Sequence, residues 1–146
     1  MKIVIGADHA GFNIKEKIKK FLDKKKINYE DLGANSFEQS DDYPDYAEKV
    51  ARKVAKDNDS KGIVVCGSGM GMAIAANKIK GIRAVCAYDK YTAKMSREHN
   101  NANVLCLRGK NFPFWKIKMI LHIWLSTEFS GEERHKRRIG KIEKIK

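Results

Sequence analysis

The chain has 146 residues, and 30 lysines and arginines against 18 aspartates and glutamates give it a formal net charge of +12. This length suits one domain with its own hydrophobic core, and the most apolar segment, residues 112–125, is interrupted by charge and is not a membrane span. The positive charge is compatible with nucleic acid, with an anionic small substrate, or with a lysine-rich surface that serves solubility.

Apolar runs typical of strands alternate with amphipathic stretches typical of helices along the chain. The predicted strands are residues 2–6, 27–32, 63–65, 81–87 and 102–107. The predicted helices are centred on residues 14–22, 46–54, 72–78, 89–98 and 117–124, with a polar loop at 34–42 and a basic C-terminal helical extension at 132–146. Lysines of the first helix, including Lys15, Lys17 and Lys19, are expected on solvated faces.

This alternation predicts an α/β fold, a single doubly wound, Rossmann-like domain (residues 1–146) with a five-stranded parallel sheet and helices on both faces. Ligands of such sheets bind outside the carboxyl ends of the strands. Asp8 and His9 follow the first strand, and a glycine loop follows the third. These two segments lie close together if strands 1 and 3 are neighbours.

The third strand leads into Cys66-Gly-Ser-Gly-Met-Gly71 and then into a helix. Free N–H groups at such a turn, together with the helix dipole, can hold an anion, and a thiol beside them should form its thiolate more easily. A structural role is the alternative, since such turns are often plain connections and a cysteine at a strand end is often a small buried hydrophobe. No G-x-G-x-x-G follows the first strand, so a dinucleotide cofactor is not expected.

The three cysteines, at positions 66, 86 and 106, are widely spaced and include no C-x-x-C pair. This pattern argues against a disulfide framework or a zinc site. The first strand runs directly into polar Asp8-His9, unlike a signal peptide. We therefore expect a cytoplasmic protein.

Further motifs accompany the glycine loop, in order along nearly the whole chain. They are Gly6-Ala-Asp-His-Ala-Gly11, Asp42-Tyr-Pro44, Gly62-Ile-Val-Val-Cys66, Ile74-Ala-Ala-Asn-Lys78, Gly81-Ile-Arg83, Ser96-Arg-Glu-His-Asn-Asn-Ala-Asn103, and Arg134-His135 with Arg138. Together they resemble the ribose-5-phosphate isomerase B family, with its relatives LacA and LacB.

The resemblance implies a homodimer or dimer of dimers that interconverts ribose 5-phosphate and ribulose 5-phosphate without a metal or other cofactor. Cys66 would be the base that moves a proton between C1 and C2, and His99 would assist ring opening. The implied substrate-binding residues are Asp8, His9, Gly67, Ser68, Gly69, Met70, Gly71, Asn100, Arg134 and Arg138. Because family active sites are shared between subunits, His99 and Asn100 would serve the Cys66 of a neighbouring copy.

The residue chemistry fits these roles. Isomerisation through an enediolate needs a base and hydrogen-bond donors where negative charge develops, as Cys66 and the glycine loop would provide. Arg134 and Arg138, four residues apart on a helix, could hold a phosphate together. The alternatives are a solvated basic tail for the arginines, a helix C-terminal cation for His99, and a plain turn or cap for Asp8-His9.

Several positions depart from the family pattern. Lys110 stands where many members have arginine, so by position it offers phosphate a charge but no bidentate contact. Glu132-Glu133 precede Arg134 where relatives tend to have glycine, and the segment Asn111 to Lys116 is unusual. Members without the cysteine use a glutamate after the glycine loop, a position held here by Met72, so this chain groups with the cysteine users.

Two further classes of function stay open. Within the isomerases, a six-carbon substrate such as allose or galactose 6-phosphate is the alternative, and pocket depth near Asp8 and Tyr43 would decide sugar length. Outside them, the fold could serve a nucleotide- or nucleic-acid-binding module, which Phe112, Phe114 and Trp115 support only weakly, or a non-catalytic sugar-phosphate sensor. We expect a phosphorylated sugar as the ligand, with no nucleic-acid or membrane partner.

Overall fold

The computed structural model describes residues 1–37 and 40–145. Residues 38 and 39 of the predicted polar loop, and residue 146 of the predicted C-terminal extension, lie outside the described residues. The elements, in chain order, are β1 (Lys2–Ala7), α1 (Phe12–Lys24), β2 (Tyr29–Asp31), α2 (Tyr43–Lys56), β3 (Ser60–Cys66), α3 (Met70–Ala76), β4 (Ala84–Cys86), α4 (Lys90–Glu98), β5 (Val104–Arg108), α5 (Phe114–Ser126) and α6 (Glu133–Ile142).

The sheet has five parallel strands in the order β2-β1-β3-β5-β4. The α/β, doubly wound prediction is confirmed. β1 pairs with β3 along its whole length, with Ala7 beside Val65, so Asp8 and Cys66 lie at the same end of the strands, as expected. The edge strands β2 and β4 have three residues each and are shorter than predicted, because an edge strand has a single neighbour to pair with.

Two hydrophobic cores cover the sheet. Ile and Val side chains alternate between its faces along each strand. One face packs against α1, α4 and α5, with Trp124 fully buried, and the other packs against α2 and α3. The prediction for Lys15 was wrong, because this side chain of α1 is completely buried.

Two helices differ from their predicted limits. α3 begins at Met70, two residues before the predicted start, because Gly69 takes a left-handed conformation (φ 84°) that turns the chain into the helix. α6 covers Glu133–Ile142 and is shorter than the predicted extension. Within residues 1–37 and 40–145, no helix is both long and apolar enough to cross a membrane.

Candidate active site

The Cys66 thiol lies inside the glycine turn at the carboxyl end of β3. The side chain is buried, and the Gly69 N–H donates a hydrogen bond to its Sγ at 3.1 Å. The Gly109 N–H donates to the Cys66 carbonyl at 2.7 Å, and the Lys110 N–H donates to the Gly67 carbonyl at 3.2 Å. The ends of β3 and β5 are therefore tied together around the sulfur.

Close packing explains why glycine occupies the turn. A Cβ on Gly69 would lie 3.2 Å from the backbone of Leu107, at a residue whose positive φ already favours glycine. A Cβ on Gly67 would lie 3.6 Å from the Lys110 side chain, which places Lys110 against the turn. Lys110, expected from its position to offer phosphate a charge, therefore lies next to the glycine loop.

Tyr43 also reaches this turn. A Cβ on Gly71 would meet the Tyr43 ring at 2.5 Å, so the ring lies directly against the first turn of α3. Ser68 Oγ accepts a hydrogen bond from the Met70 N–H at 3.3 Å, and the Met70 side chain is half exposed. Tyr88, which the sequence places at a strand carboxyl end but to which we assigned no role, also contacts the turn, since its hydroxyl donates to the Ser68 carbonyl at 3.3 Å.

The adjacent end of β1 carries Asp8 and His9. The Asp8 N–H donates to the Val65 carbonyl at 3.2 Å, and its buried carboxylate accepts from the Gly11 N–H at 3.0 Å. Burial raises the pKa of Asp8, although the Gly11 N–H and the nearby His9 oppose the rise. His9 Nδ1 lies 2.6 Å from Asp41 Oδ1.

Asp8, His9 and Asp41 form a group of three metal-ligand types within 4.8 Å of one another. Two ligands bound tetrahedrally at about 2.0–2.1 Å from zinc would lie about 3.3 Å apart. The 2.6 Å between His9 Nδ1 and Asp41 Oδ1 is instead a short hydrogen-bond distance. The pair is therefore arranged as a hydrogen-bonded pair and not as a preformed metal site.

His99 and Asn100 lie at the opposite edge of the sheet. α4 runs antiparallel to the strands and ends at Glu98, so His99 follows it shortly before β5 begins at Val104. Arg108, at the other end of β5, pairs with Cys66. The four residue steps of β5 span about 13 Å. Within one copy of the chain, His99 is thus separated from Cys66 by the length of a strand.

α6 brings its arginines to the same edge as His99. The His135 ring stacks on the His99 ring at 4.3 Å between centroids, and His135 Nδ1 lies 2.6 Å from Ser130 Oγ. Arg134 and Arg138 are exposed, and Arg134 Nε donates to the Glu132 carboxylate at 2.7 Å. This contact follows from the unusual Glu132, so part of the Arg134 charge is already paired.

His135 is the second residue whose role sequence reasoning missed, although it stands inside the Arg134-His135 motif. Its side chain is buried. Desolvation lowers the pKa of His135, and the neighbouring His99 and Arg134 lower it further. A neutral His135 fits a packing partner that holds the His99 ring in place.

The predicted site residues thus fall into two groups. At the carboxyl edge the structure brings together Cys66, Gly67, Ser68, Gly69, Met70, Gly71, Asp8, His9, Tyr43 and Lys110. At the amino edge it brings together His99, Asn100, Arg134 and Arg138. The first group offers a thiol among backbone N–H groups, and the second offers an imidazole beside exposed cations.

Comparison with known proteins gives a consistent result. The family described as Ribose/Galactose Isomerase matches residues 3–142. A ribose 5-phosphate isomerase from Thermotoga maritima superposes with a TM-score of 0.94 at 46% identity, covering 99% of this chain and 98% of that one. Ribose-5-phosphate isomerase B from Mycoplasma genitalium, with bound ribulose 5-phosphate, gives a TM-score of 0.93 at 43% identity, covering 97% and 93%.

One relative has a different substrate in its name. D-erythrulose-4-phosphate isomerase 2 of Mycolicibacterium smegmatis is 39% identical over 144 residues, which cover 97% of this chain and 95% of that protein. The family model and these full-length similarities agree with the fold and with the predicted resemblance. The chain therefore belongs to the ribose/galactose isomerase family that includes ribose-5-phosphate isomerase B, and it is an isomerase.

Proposed function

We propose that the protein interconverts D-ribose 5-phosphate and D-ribulose 5-phosphate, with Cys66 as the base. The observation that carries this proposal is the Gly69 N–H donated to Cys66 Sγ inside the glycine turn. An N–H aimed at sulfur stabilises negative charge there, and a thiolate is the form that accepts a proton. Family membership and the relative with bound ribulose 5-phosphate support the choice of sugar.

In the open-chain aldose, the Cys66 thiolate removes the proton from C2, and the C2–H electron pair forms the enediolate double bond as O1 gains negative charge. The resulting thiol returns the proton to C1. At the same time O2 loses its proton and becomes the ketone oxygen, and O1 gains a proton and becomes a hydroxyl. Backbone N–H groups of residues 67–71 would stabilise the oxyanion. His99 would assist ring opening before this step by moving a proton between the ring oxygen and the anomeric hydroxyl.

In this proposal the active site is shared between two subunits, because Cys66 and His99 lie at opposite ends of the strands. Because a strand length separates Cys66 from His99 within one copy, a substrate that contacts both needs the carboxyl edge of one subunit against the amino edge of another. A homodimer with two-fold symmetry, or a dimer of dimers, would form two such sites. Arg134, Arg138 and Lys110 would then hold the phosphate, and Asn100 would contact the sugar.

The proposed location is the cytoplasm. All three cysteines are free thiols, and a thiol base needs a reducing compartment.

The test is the formation of ribulose 5-phosphate from ribose 5-phosphate by purified protein with EDTA present. Cys66→Ala should lower kcat by about 10²–10⁴, whereas the matched control Cys86→Ala, on β4, should retain activity. Wild-type turnover that survives in Cys66→Ala would contradict the role of Cys66. If the protein turned over allose 6-phosphate or erythrulose 4-phosphate but not ribose 5-phosphate, the assignment of ribose 5-phosphate as the substrate would be wrong. Binding of the sugar phosphate without turnover would indicate a sensor.

A further inference from the structure

Asp41, a carboxylate outside the predicted site, contacts His9. Asp41 lies just before α2, in the polar loop that sequence reasoning left without a role. Its Oδ1 accepts the His9 backbone N–H at 2.9 Å and lies 2.6 Å from His9 Nδ1. Both contacts join residues 32 positions apart in the chain, so the loop is held to the end of β1 at this point.

Asp41 is a carboxylate acceptor at neutral pH. Although burial opposes it, hydrogen bonds from the His9 backbone and the His9 ring, together with the nearby Tyr46 hydroxyl, lower the pKa of Asp41. The Asp41 side chain is only 10% exposed, so water competes little for these contacts. A carboxylate can only accept hydrogen bonds, and His9 Nδ1 therefore carries a proton.

These contacts do not involve the other nitrogen of the His9 ring. In the part of the chain that the structure describes, Nε2 of His9 has no hydrogen-bond partner, and the side chain is 29% exposed. The Phe37 ring packs edge-on against the imidazole at 6.2 Å between centroids and 86° between planes. The ring is thus held on two sides, by Asp41 and by Phe37.

We propose that Asp41 is a positioning residue that acts through His9. It holds the imidazole ring in one orientation, with the proton on Nδ1, so that Nε2 can form a hydrogen bond with the sugar phosphate. This inference rests on the proposed function, in which His9 contacts the substrate. Its effect is on substrate binding and not on proton transfer, because Cys66 has its own hydrogen bond from Gly69. Ordering one ring before binding is worth about tenfold in affinity.

The test measures KM and kcat for ribose 5-phosphate in Asp41→Ala and Asp41→Asn. We expect Asp41→Ala to raise KM about tenfold with kcat nearly unchanged. Asp41→Asn, which retains an acceptor oxygen, should restore part of the binding. The matched control is Asp45→Ala, which removes an exposed carboxylate from the first turn of α2, four residues after Asp41. This control should leave KM and kcat unchanged.

A double-mutant cycle separates positioning from a structural effect. In a His9→Ala background, Asp41→Ala should raise KM no further, because the residue through which it acts is gone. The same tenfold rise in that background, or a lowered kcat with KM unchanged, would overturn the proposal.

A readout without substrate keeps this inference distinct from the proposed function. Long-range ¹H–¹⁵N NMR of the wild type should show His9 with a protonated Nδ1, and Asp41→Ala should change that signal. An unprotonated Nδ1 in the wild type would refute the Asp41 contact even if turnover is normal. Conversely, inactivity of the wild type with a protonated Nδ1 would reject the proposed function alone.

Discussion

Lys15→Met should destabilise the protein markedly, because it removes one partner of a buried ion pair. Lys15 has no exposed surface, and its Nζ donates to the two Asp31 carboxylate oxygens at 2.8 and 2.6 Å and to the Ala34 carbonyl at 2.6 Å. Methionine fills a similar volume but donates nothing. The Asp31 carboxylate would lose its buried cation, and the Ala34 carbonyl would lose its donor.

The loss of stability in Lys15→Met depends on the hydrogen bonds that Asp31 keeps. Breaking a buried ion pair costs about 3–5 kcal/mol. Asp31 would keep hydrogen bonds from Lys19 at 2.8 Å and from the Gly33 N–H at 3.0 Å, so the lower end applies. We expect a loss of about 3 kcal/mol in the free energy of unfolding. For a domain of this size, that lowers Tm by about 6–12 °C.

The same pair predicts an acid dependence. Although burial opposes it, hydrogen bonds from Lys15, Lys19 and Gly33 lower the pKa of Asp31 in the folded protein. A lowered folded pKa gives stability that is complete above the unfolded value of about 3.9 and is lost as pH falls through the folded value. The stability difference between wild type and Lys15→Met should therefore shrink below about pH 4.

Urea and thermal denaturation followed by circular dichroism measure both effects. Lys20→Met, which changes an exposed lysine of the same helix, is the matched control and should stay within about 0.5 kcal/mol of wild type. If Lys15→Met were as stable as this control at pH 7, the reasoning about the buried pair would be refuted.

Two further predictions concern the two edges of the sheet. Gly71→Ala should raise KM, because the added Cβ would push aside the outer part of the half-exposed Tyr43 ring, and it should leave Tm within a few degrees of wild type. An unchanged KM would show that Tyr43 does not shape the pocket. Because the pKa of His135 is lowered in the folded state, wild type should lose stability as pH falls below about 6.5, and His135→Gln should lose less over that range in denaturation curves. Equal acid sensitivity of the two proteins would contradict a buried neutral His135.

Local patterns in the sequence were sufficient for the fold and the carboxyl edge. Alternating periods of strand and helix predict the parallel sheet, and the rule that ligands bind at strand carboxyl ends predicts that Asp8 and Cys66 meet there. Pairing of β1 with β3 confirms this placement. These features depend on residues that are close in sequence or on general rules of sheet topology.

Features that depend on contacts between distant segments were not predicted. Nothing in the local sequence distinguishes Lys15 from the solvated lysines of the same helix, because its partners, Asp31 and Ala34, lie in a different segment of the chain. Tyr88 meets Ser68 only because β5 and β4 continue the sheet beside β3. Asp41 reaches His9 across a loop, and His135 stacks on His99 from a separate helix, so neither contact has a local pattern that announces it.

The most direct test of a site shared between subunits mixes two inactive variants. Cys66→Ala and His99→Ala are each purified, shown to lack ribose 5-phosphate turnover, then unfolded and refolded together. A heterodimer would contain one site with both residues intact, so random pairing predicts recovery of about a quarter of wild-type activity. No recovery, with mixed dimers shown to form, would contradict a site that joins Cys66 of one subunit to His99 of its partner.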